Sequence, residues 1–397
     1  MKFILFLAVS ILFNTLSGTE IQQKINPEVF DTVINEIAKF HYDTDFRQKY
    51  AQLINTYRQK SVNAANNSQL GRILNEFLRQ LPESHLAVLP PPEKNPIAPL
   101  ENNITLIESN NKVLVYDIAG DSGAEKILEK GDEIISVGNF TADPNARIGK
   151  AVQLKNKFAY GIPGKKTQVE FIRSGRKITK TFTDVKIKKY PKFFKLGEMP
   201  PFPEFYESKM LNKNTGFIRF DFFTPASLTK LRDDIKNKFS NTPRLIIDLR
   251  HNMGGLIMLG VNMASFLHHE RVDFGTMTIA NQKLTPKSYP QKDRYKGKIY
   301  ILIGRNSYST AEIFAQAMRE ANAAALLGET TSGMCLPSAV ITLPHKFRLQ
   351  TIVGDYSSAK GIRIEGKGVT PDRIIKISAA DLRSGRDPVI AAAITDL

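Results

Sequence analysis

The sequence predicts an α/β protein in three parts: a helical N-terminal segment, a β-rich middle, and a C-terminal half in which strands and helices alternate. Three observations carry that prediction. Apolar residues recur at helical spacing over residues 27–80; period-two runs separated by glycine turns fill 110–187; beyond residue 200, short aliphatic runs alternate with helix-periodic stretches. At 397 residues the chain exceeds one ordinary domain. Its 42% hydrophobic and 24% charged content is that of a soluble globular protein, which excludes a disordered chain.

Residues 1–18, MKFILFLAVSILFNTLSG, read as a secretory signal: Lys2, an apolar run Phe3–Phe13, then the small residues Thr15, Ser17 and Gly18. The run is too short to span a bilayer. No second long apolar stretch follows, so an exported location, periplasmic or secreted, is expected. Helical spacing then sets a domain over 19–89. Val29, Val33, Ile37 and Phe40 form one stripe; Leu70, Ile73, Leu74, Phe77 and Leu78 form another. The proline-rich stretch 90–109 forbids helix and reads as a linker or extended strand.

The β-rich unit spans 110–190. Its two phrases are VLVYDIAGDSGAEKILEKGDEIISVGN (113–139) and TQVEFIRSGRKITKTF (167–182), the second being two strands around the turn Ser174-Gly175. With Ser122-Gly123-Ala124 opening a short helix and Gly131-Asp132-Glu133 entering a strand, it resembles a PDZ domain, a fold that takes chain termini by strand addition. Charge is concentrated here. Residues 150–195 hold 14 Lys and Arg against only Glu170 and Asp184, an excess of +12 out of the chain's +16. An exported protein rarely meets nucleic acid, so that partner is not expected. An anionic envelope surface or an acidic protein fits the patch, as does a solvated basic face.

The C-terminal half, 200–397, reads as GFIRFDFF (216–223), a helix near 226–239, RLIIDLR (244–250), a helix near 256–269, KIYILIG (298–304), and a helix after Ser309. Two motifs in it carry chemistry. IIDLRHNMGG (246–255) runs from a buried strand into a glycine pair whose N–H groups can approach an anion. ILIGRNSYSTAEIFAQAM (301–318) runs from a strand into Ser309-Thr310-Ala311-Glu312 and a helix. Ser309 with Glu312 three residues on is also a capping box. A serine at a helix start beside a donor-rich loop is what acyl transfer needs.

Together these motifs resemble the core of the tail-specific (C-terminal processing) serine peptidases, whose relatives include the tricorn core protease. The resemblance runs over nearly the whole chain after the leader. It implies a crotonase-like (ClpP/crotonase-type) core of βα units over 200–397, a serine-type endopeptidase acting on protein substrates, and no cofactor. No HExxH spacing occurs, and no metal is implied. One departure matters. The Ser–Lys members carry a lysine 25 residues beyond the serine and a glutamine four further on, positions held here by Met334 and Ser338. A thioether cannot accept the serine proton.

The tricorn-type branch instead takes a histidine from a Ser-His pair early in the chain and a glutamate late in the core. Ser84-His85 and Glu365 match that pattern. The resemblance therefore implies Ser309 as nucleophile, His85 as base, and Glu365 and Ser84 fixing the imidazole. Gly255 and Thr310 N–H groups would form the oxyanion hole, with Gly254 letting the loop approach, while Asp248, Arg250 and Asn252 brace it. An unperturbed histidine would give activity rising through an ionisation near ~6.5. Lys360 and Lys367, near the late strand, are the alternative candidates for the role of the missing lysine. Cys335, the single cysteine, excludes an intrachain disulfide. The reading from another class is a noncatalytic peptide- or ligand-binding protein on the same fold. Substrate and oligomeric state are not legible.

Overall fold

The computed structural model describes residues 18–91, 98–100, 104–118, 123–144, 148–185, 192–195, 197, 201–279 and 282–395. Residues 1–17 of the expected leader (1–18) lie outside them, as do Ser122 and the basic-run residues Lys186, Lys188 and Lys189. Among the described residues no helix is long and apolar enough to cross a membrane.

Helices α1 (Gly18–Phe40), α2 (Ala51–Val62) and α3 (Asn67–Leu78) form where the apolar spacing required them. Asn66 starts α3 by accepting the Gln69 N–H at 2.9 Å. Val29, Val33, Ile37, Leu70, Leu74 and Phe77 are fully buried. They do not close the core alone. Leu343, Phe347 and Leu349, from a segment some 270 residues away, complete the same cluster. Strand β1 (Ala87–Leu89), two residues past His85, explains why: it pairs with that segment, Ala87 opposite Gln350.

The middle unit is an antiparallel sheet of β2 (Ile104–Ser109), β3 (Lys112–Ile118), β4 (Glu133–Val137), β5 (Lys166–Arg173) and β6 (Arg176–Thr183), in that spatial order. Helix α4 (Lys150–Ala159) buries Ala151, Leu154 and Phe158 against it. Ser174 and Gly175, between β5 and β6, both have positive φ (50° and 78°), the backbone that a two-residue hairpin of matching twist demands.

In the C-terminal half, β7 (Tyr206–Asn212) is antiparallel to β8 (Thr215–Phe220). Helix α5 (Pro225–Asn237) leads to β9 (Arg244–Asp248), and α6 (Ile257–Ser265) precedes β10 (Lys298–Ile303). Helix α7 (Thr310–Glu320) follows, then β11 (Ala325–Gly328). The hairpin β12 (Ser338–Thr342) and β13 (Arg348–Ile352) carries the segment that packs on the helices. Strand β14 (Arg373–Ile374) closes a six-stranded sheet in the order β7-β8-β9-β10-β11-β14, parallel from β8 onward. Helices cover it, so β8 is buried along its whole length and the strands read as continuous apolar runs. The loops after β9 and β10 emerge at the carboxyl ends of parallel strands, where such sheets place their sites.

Phe347→Ala tests the shared core. Phe347 is wholly buried between helices and hairpin, so its truncation is expected to cost about 3–5 kcal/mol, read from the urea midpoint. A loss below about 1 kcal/mol would show that the helices do not depend on the hairpin.

Candidate active site

The loop after β9 is braced by its own polar residues. Arg250, itself buried, grips Asp248 through Nε at 2.9 Å and Nη2 at 2.7 Å, and its Nη2 reaches Asp387 at 2.8 Å. Burial pushes the Asp248 carboxyl up, but the Arg250 charge and hydrogen bonds prevail and hold it below its ordinary value. Asn252 donates to the Phe220 carbonyl at 2.8 Å and accepts the Gly254 N–H at 2.9 Å; its own carbonyl takes the Tyr308 N–H, also at 2.9 Å. That last bond fastens the loop beside Ser309. All three residues brace, as the sequence suggested.

Gly254 and Gly255 allow the approach. Their φ angles are 94° and 127°. A Cβ on Gly254 would sit 2.7 Å from Ser309 Cβ, and one on Gly255 would sit 2.6 Å from the Phe223 carbonyl oxygen. Gly255 bridges Phe223 through its neighbours: Phe223 N–H donates to Gly254 O and Leu256 N–H to Phe223 O, a pattern that leaves the Gly255 N–H out. The Gly255 carbonyl accepts the Thr310 hydroxyl at 2.7 Å, tying the glycine to the first turn of α7.

Ser309 stands at the head of that helix with φ 55° and ψ −122°, a conformation L-residues rarely adopt. Its N–H donates to the Met334 carbonyl at 2.8 Å and to Glu312 Oε2 at 3.1 Å. Ala311 and Glu312 N–H groups find the carbonyls of Tyr308 and Ser309. Among the described residues the Thr310 N–H has no acceptor, and Thr310 N lies 3.1 Å from where a Cβ on Gly254 would sit. Glu312 reaches beyond a local cap. Wholly buried, it also accepts Thr331 Oγ1 at 2.5 Å, Gly333 N–H at 2.7 Å and Met334 N–H at 2.8 Å. Burial raises its carboxyl to about 7 against those donors. Its contacts come from a loop some 20 residues on, which no local spacing signals.

Ser84, His85 and Glu365 meet directly. Glu365 Oε1 accepts the Ser84 N–H at 2.8 Å, and Oε2 accepts Ser84 Oγ at 3.0 Å. Ser84 Oγ lies 2.7 Å from His85 Nδ1. A hydroxyl has one proton. With that proton on the carboxylate, Ser84 Oγ must accept from Nδ1–H, which leaves the Nε2 lone pair outward. His85 has φ 60°, a second strained non-glycine residue. Burial lowers its pKa to about 4, well below the unperturbed value assumed from sequence.

Met334 and Cys335 join this set to Ser309. The Met334 carbonyl holds the Ser309 N–H, and the next N–H, of Cys335, donates to Glu365 Oε2 at 2.9 Å. Among the described residues no hydrogen bond joins Ser309 Oγ to His85. Cys335 enters only through its backbone; its thiol is buried and raised well above the ordinary range by burial and then by Glu312 and Glu365. Lys360 and Lys367 are exposed, and neither is held in this cluster. His251 is buried against Tyr116, and His345 pairs with Glu28 on the helical unit. A cavity of about 680 Å³, lined by His268, Arg294, Lys298 and Ala323, lies at the opposite ends of the strands.

Residues 214–375 match the sequence pattern of Peptidase family S41. A carboxyl-terminal-processing protease of Synechocystis sp. is 22% identical over 293 residues, 72% of this chain; the chain spans 65% of that relative's length. The photosystem II D1 C-terminal processing protease shares the fold with a TM-score of 0.58 at 19% identity, over 91% of this chain and 94% of its own. The tricorn protease does so with a TM-score of 0.57 at 16% identity, over 94% of this chain and 36% of its own. That pattern lies over the strands and loops that carry Ser309, the glycine pair and Glu365, so it is this part of the chain that resembles peptidase family S41.

Proposed function

We propose that this protein is a serine endopeptidase of the tail-specific type that uses a Ser–His–Glu arrangement of the tricorn kind in place of Ser–Lys. The observation that carries the reading is the relay Glu365–Ser84–His85, tied through Met334-Cys335 to a serine at positive φ. Ser309 Oγ attacks the scissile carbonyl carbon while His85 Nε2 takes its proton. Ser84 and Glu365 hold the ring and stabilise the imidazolium. The oxyanion receives the Gly255 and Thr310 N–H groups, each donor being worth roughly 10²–10³-fold in rate. Collapse expels the amine with the proton returned by His85. Water then attacks the acyl-enzyme, with His85 again as base, and Ser309 is released.

The same proposal covers the finer architecture: a signal over 1–18, a helical domain over 19–89, a PDZ-like domain over 110–190 and a crotonase-like peptidase core over 200–397. The antiparallel sheet with α4 across it supports the PDZ-like reading. Export follows from the leader, and protein substrates follow from the peptidase chemistry. The basic run is proposed to bring the protein to anionic surfaces.

Ser309→Ala is expected to abolish both casein cleavage and labelling by a serine-directed phosphonate while leaving the fold intact. His85→Ala should lower the rate roughly 10⁴-fold or more, and Glu365→Gln should lose much of it. Lys360→Ala and Lys367→Ala should change little. Near-normal hydrolysis by the His85 variant, or a dead lysine variant, would sink the mechanism. A wild-type chain inert to both substrate and phosphonate would favour the noncatalytic reading.

The pH dependence follows from burial. Only neutral imidazole accepts a proton, so His85 is competent above about pH 5, and the fraction able to act falls as pH drops through about 4. The ring resonances of His85 in Ser309→Ala should titrate near 4; a midpoint at 6–7 would contradict the burial. Burial places the Glu312 carboxyl at about 7, so an inflection there is expected in the activity profile, and Glu312→Gln should remove it.

Exposed charges are screened within about 10 Å at moderate salt. Binding to anionic liposomes should therefore weaken steeply between roughly 50 and 300 mM salt. Retention that is absent, or indifferent to salt, would remove the surface proposal.

A further inference from the structure

The residue before the Ser84-His85 pair is a further buried carboxyl, one that the mechanism does not use. Glu83 is 3% exposed, and the helical unit holds it from one side. Tyr42 Oη donates to Glu83 Oε1 at 2.8 Å. His41 Nδ1 accepts the Asp43 N–H at 3.0 Å, which leaves the ring proton on Nε2, 3.2 Å from the same Oε1. The His41 and Tyr42 rings stack at 4.7 Å. The Arg363 guanidinium lies over the Tyr42 ring at 5.3 Å, and its Nη1 is fixed at 2.7 Å from both Asp355 oxygens. Arg363 precedes Glu365 by two residues, so the cation over the Tyr42 ring and the carboxylate that grips Ser84 come from one short stretch of the core.

We propose that Glu83, clamped by His41 and Tyr42, is a positioning residue for the catalytic base, acting through the Ser84-His85 turn. The inference rests on the Ser309–His85 reading. Its physical ground is strain. His85 sits at φ 60°, a conformation that stays populated only where its surroundings over-determine it. Ser84 is pinned by Glu365 on one side, and Glu83 by the helical unit on the other. With one pin removed, the backbone relaxes toward ordinary φ and the imidazole swings. A displacement of about 1 Å at a base can cost about 10²-fold in rate. Burial pushes the Glu83 carboxyl up, yet the His41 and Tyr42 contacts more than offset it and hold it below its ordinary value, so the clamp keeps its charge at neutral pH.

The test uses the full chain with Glu83→Gln, the milder Tyr42→Phe, and Arg58→Ala as control. Arg58 pairs with Asp31 on the exposed face of the same helices, where such a bridge contributes little. Glu83→Gln is expected to lower kcat about 10- to 100-fold with KM within about threefold, and to slow phosphonate labelling of Ser309 in parallel. Tyr42→Phe should do so several-fold, and Arg58→Ala not at all. In the Ser309→Ala background, the His85 Nδ1–H resonance that reports the Ser84 bond should weaken or vanish in Glu83→Gln. A kcat within twofold of wild type, an unchanged Nδ1–H resonance, or an equal loss in Arg58→Ala would overturn the proposal. If the wild-type chain neither cleaves nor labels, the peptidase reading fails first, and the resonance alone decides whether Glu83 positions the ring.

Discussion

One buried carboxylate organises the centre of this molecule. Glu365 accepts the N–H and hydroxyl of Ser84 and the N–H of Cys335, joining segments 281 and 30 residues away in sequence. A buried charge is tolerated only when it is paired or fully hydrogen-bonded, so these donors are a condition of the fold as much as of the chemistry. The loop holding Glu365 is set by close backbone packing. Gly366 N–H donates to the Gly333 carbonyl at 2.8 Å, and a Cβ on Gly333 would lie 2.6 Å from Gly368 N. Two glycine-bearing loops therefore touch with no side chain between them. That contact brings Glu365 within reach of Cys335, and the residue before Cys335 holds Ser309.

The features legible in the sequence were those governed by local periodicity or local chemistry. Alternation of aliphatic runs and helical stripes located β8, β9, β10 and α7 to within a few residues, because strands buried on both faces read as uninterrupted apolar runs. The Ser174-Gly175 hairpin was legible from its turn residues between two alternating runs. What escaped was non-local. Ser309 and Glu312 read as a capping box, yet Glu312 spends most of its hydrogen-bonding capacity on residues 331–334. His41 matched no motif, yet its ring faces Glu83 from across the helical unit. The lowered His85 pKa was illegible because burial comes from the assembled fold and not from the residue's neighbours in sequence. Ser84, His85 and Glu365 were singled out through family resemblance; a Ser-His dipeptide by itself carries too little information.

Strain and support coincide here. Ser309 and His85 are both non-glycine residues at positive φ, and such conformations cost roughly 1–3 kcal/mol each. Each is flanked by bonds that prevent its relaxation. Ser309 N–H is shared between Met334 O and Glu312, and the Tyr308 hydroxyl just before it accepts the Gly149 N–H at 2.8 Å from the edge of the middle unit. Ser84 N–H is fixed by Glu365. The β-rich unit, through Gly149, and the core, through Glu312 and Glu365, thus both contribute to holding the two residues.

The missing lysine changes what the rest of the chain must do. Where base and nucleophile lie on neighbouring loops of one core, that core can assemble the dyad by itself. Here position 334 is methionine, and the segment 214–375 that matches the family holds Ser309, the glycine pair and Glu365 but not the histidine. His85 comes from outside it, on a turn whose placement depends on β1 pairing with β13 and on the apolar cluster that Phe347 and Leu349 share with α1 and α3. The helical segment is therefore more than an attachment to a finished enzyme. In the proposed mechanism it delivers the base, and packing between helices and hairpin is coupled directly to proton transfer.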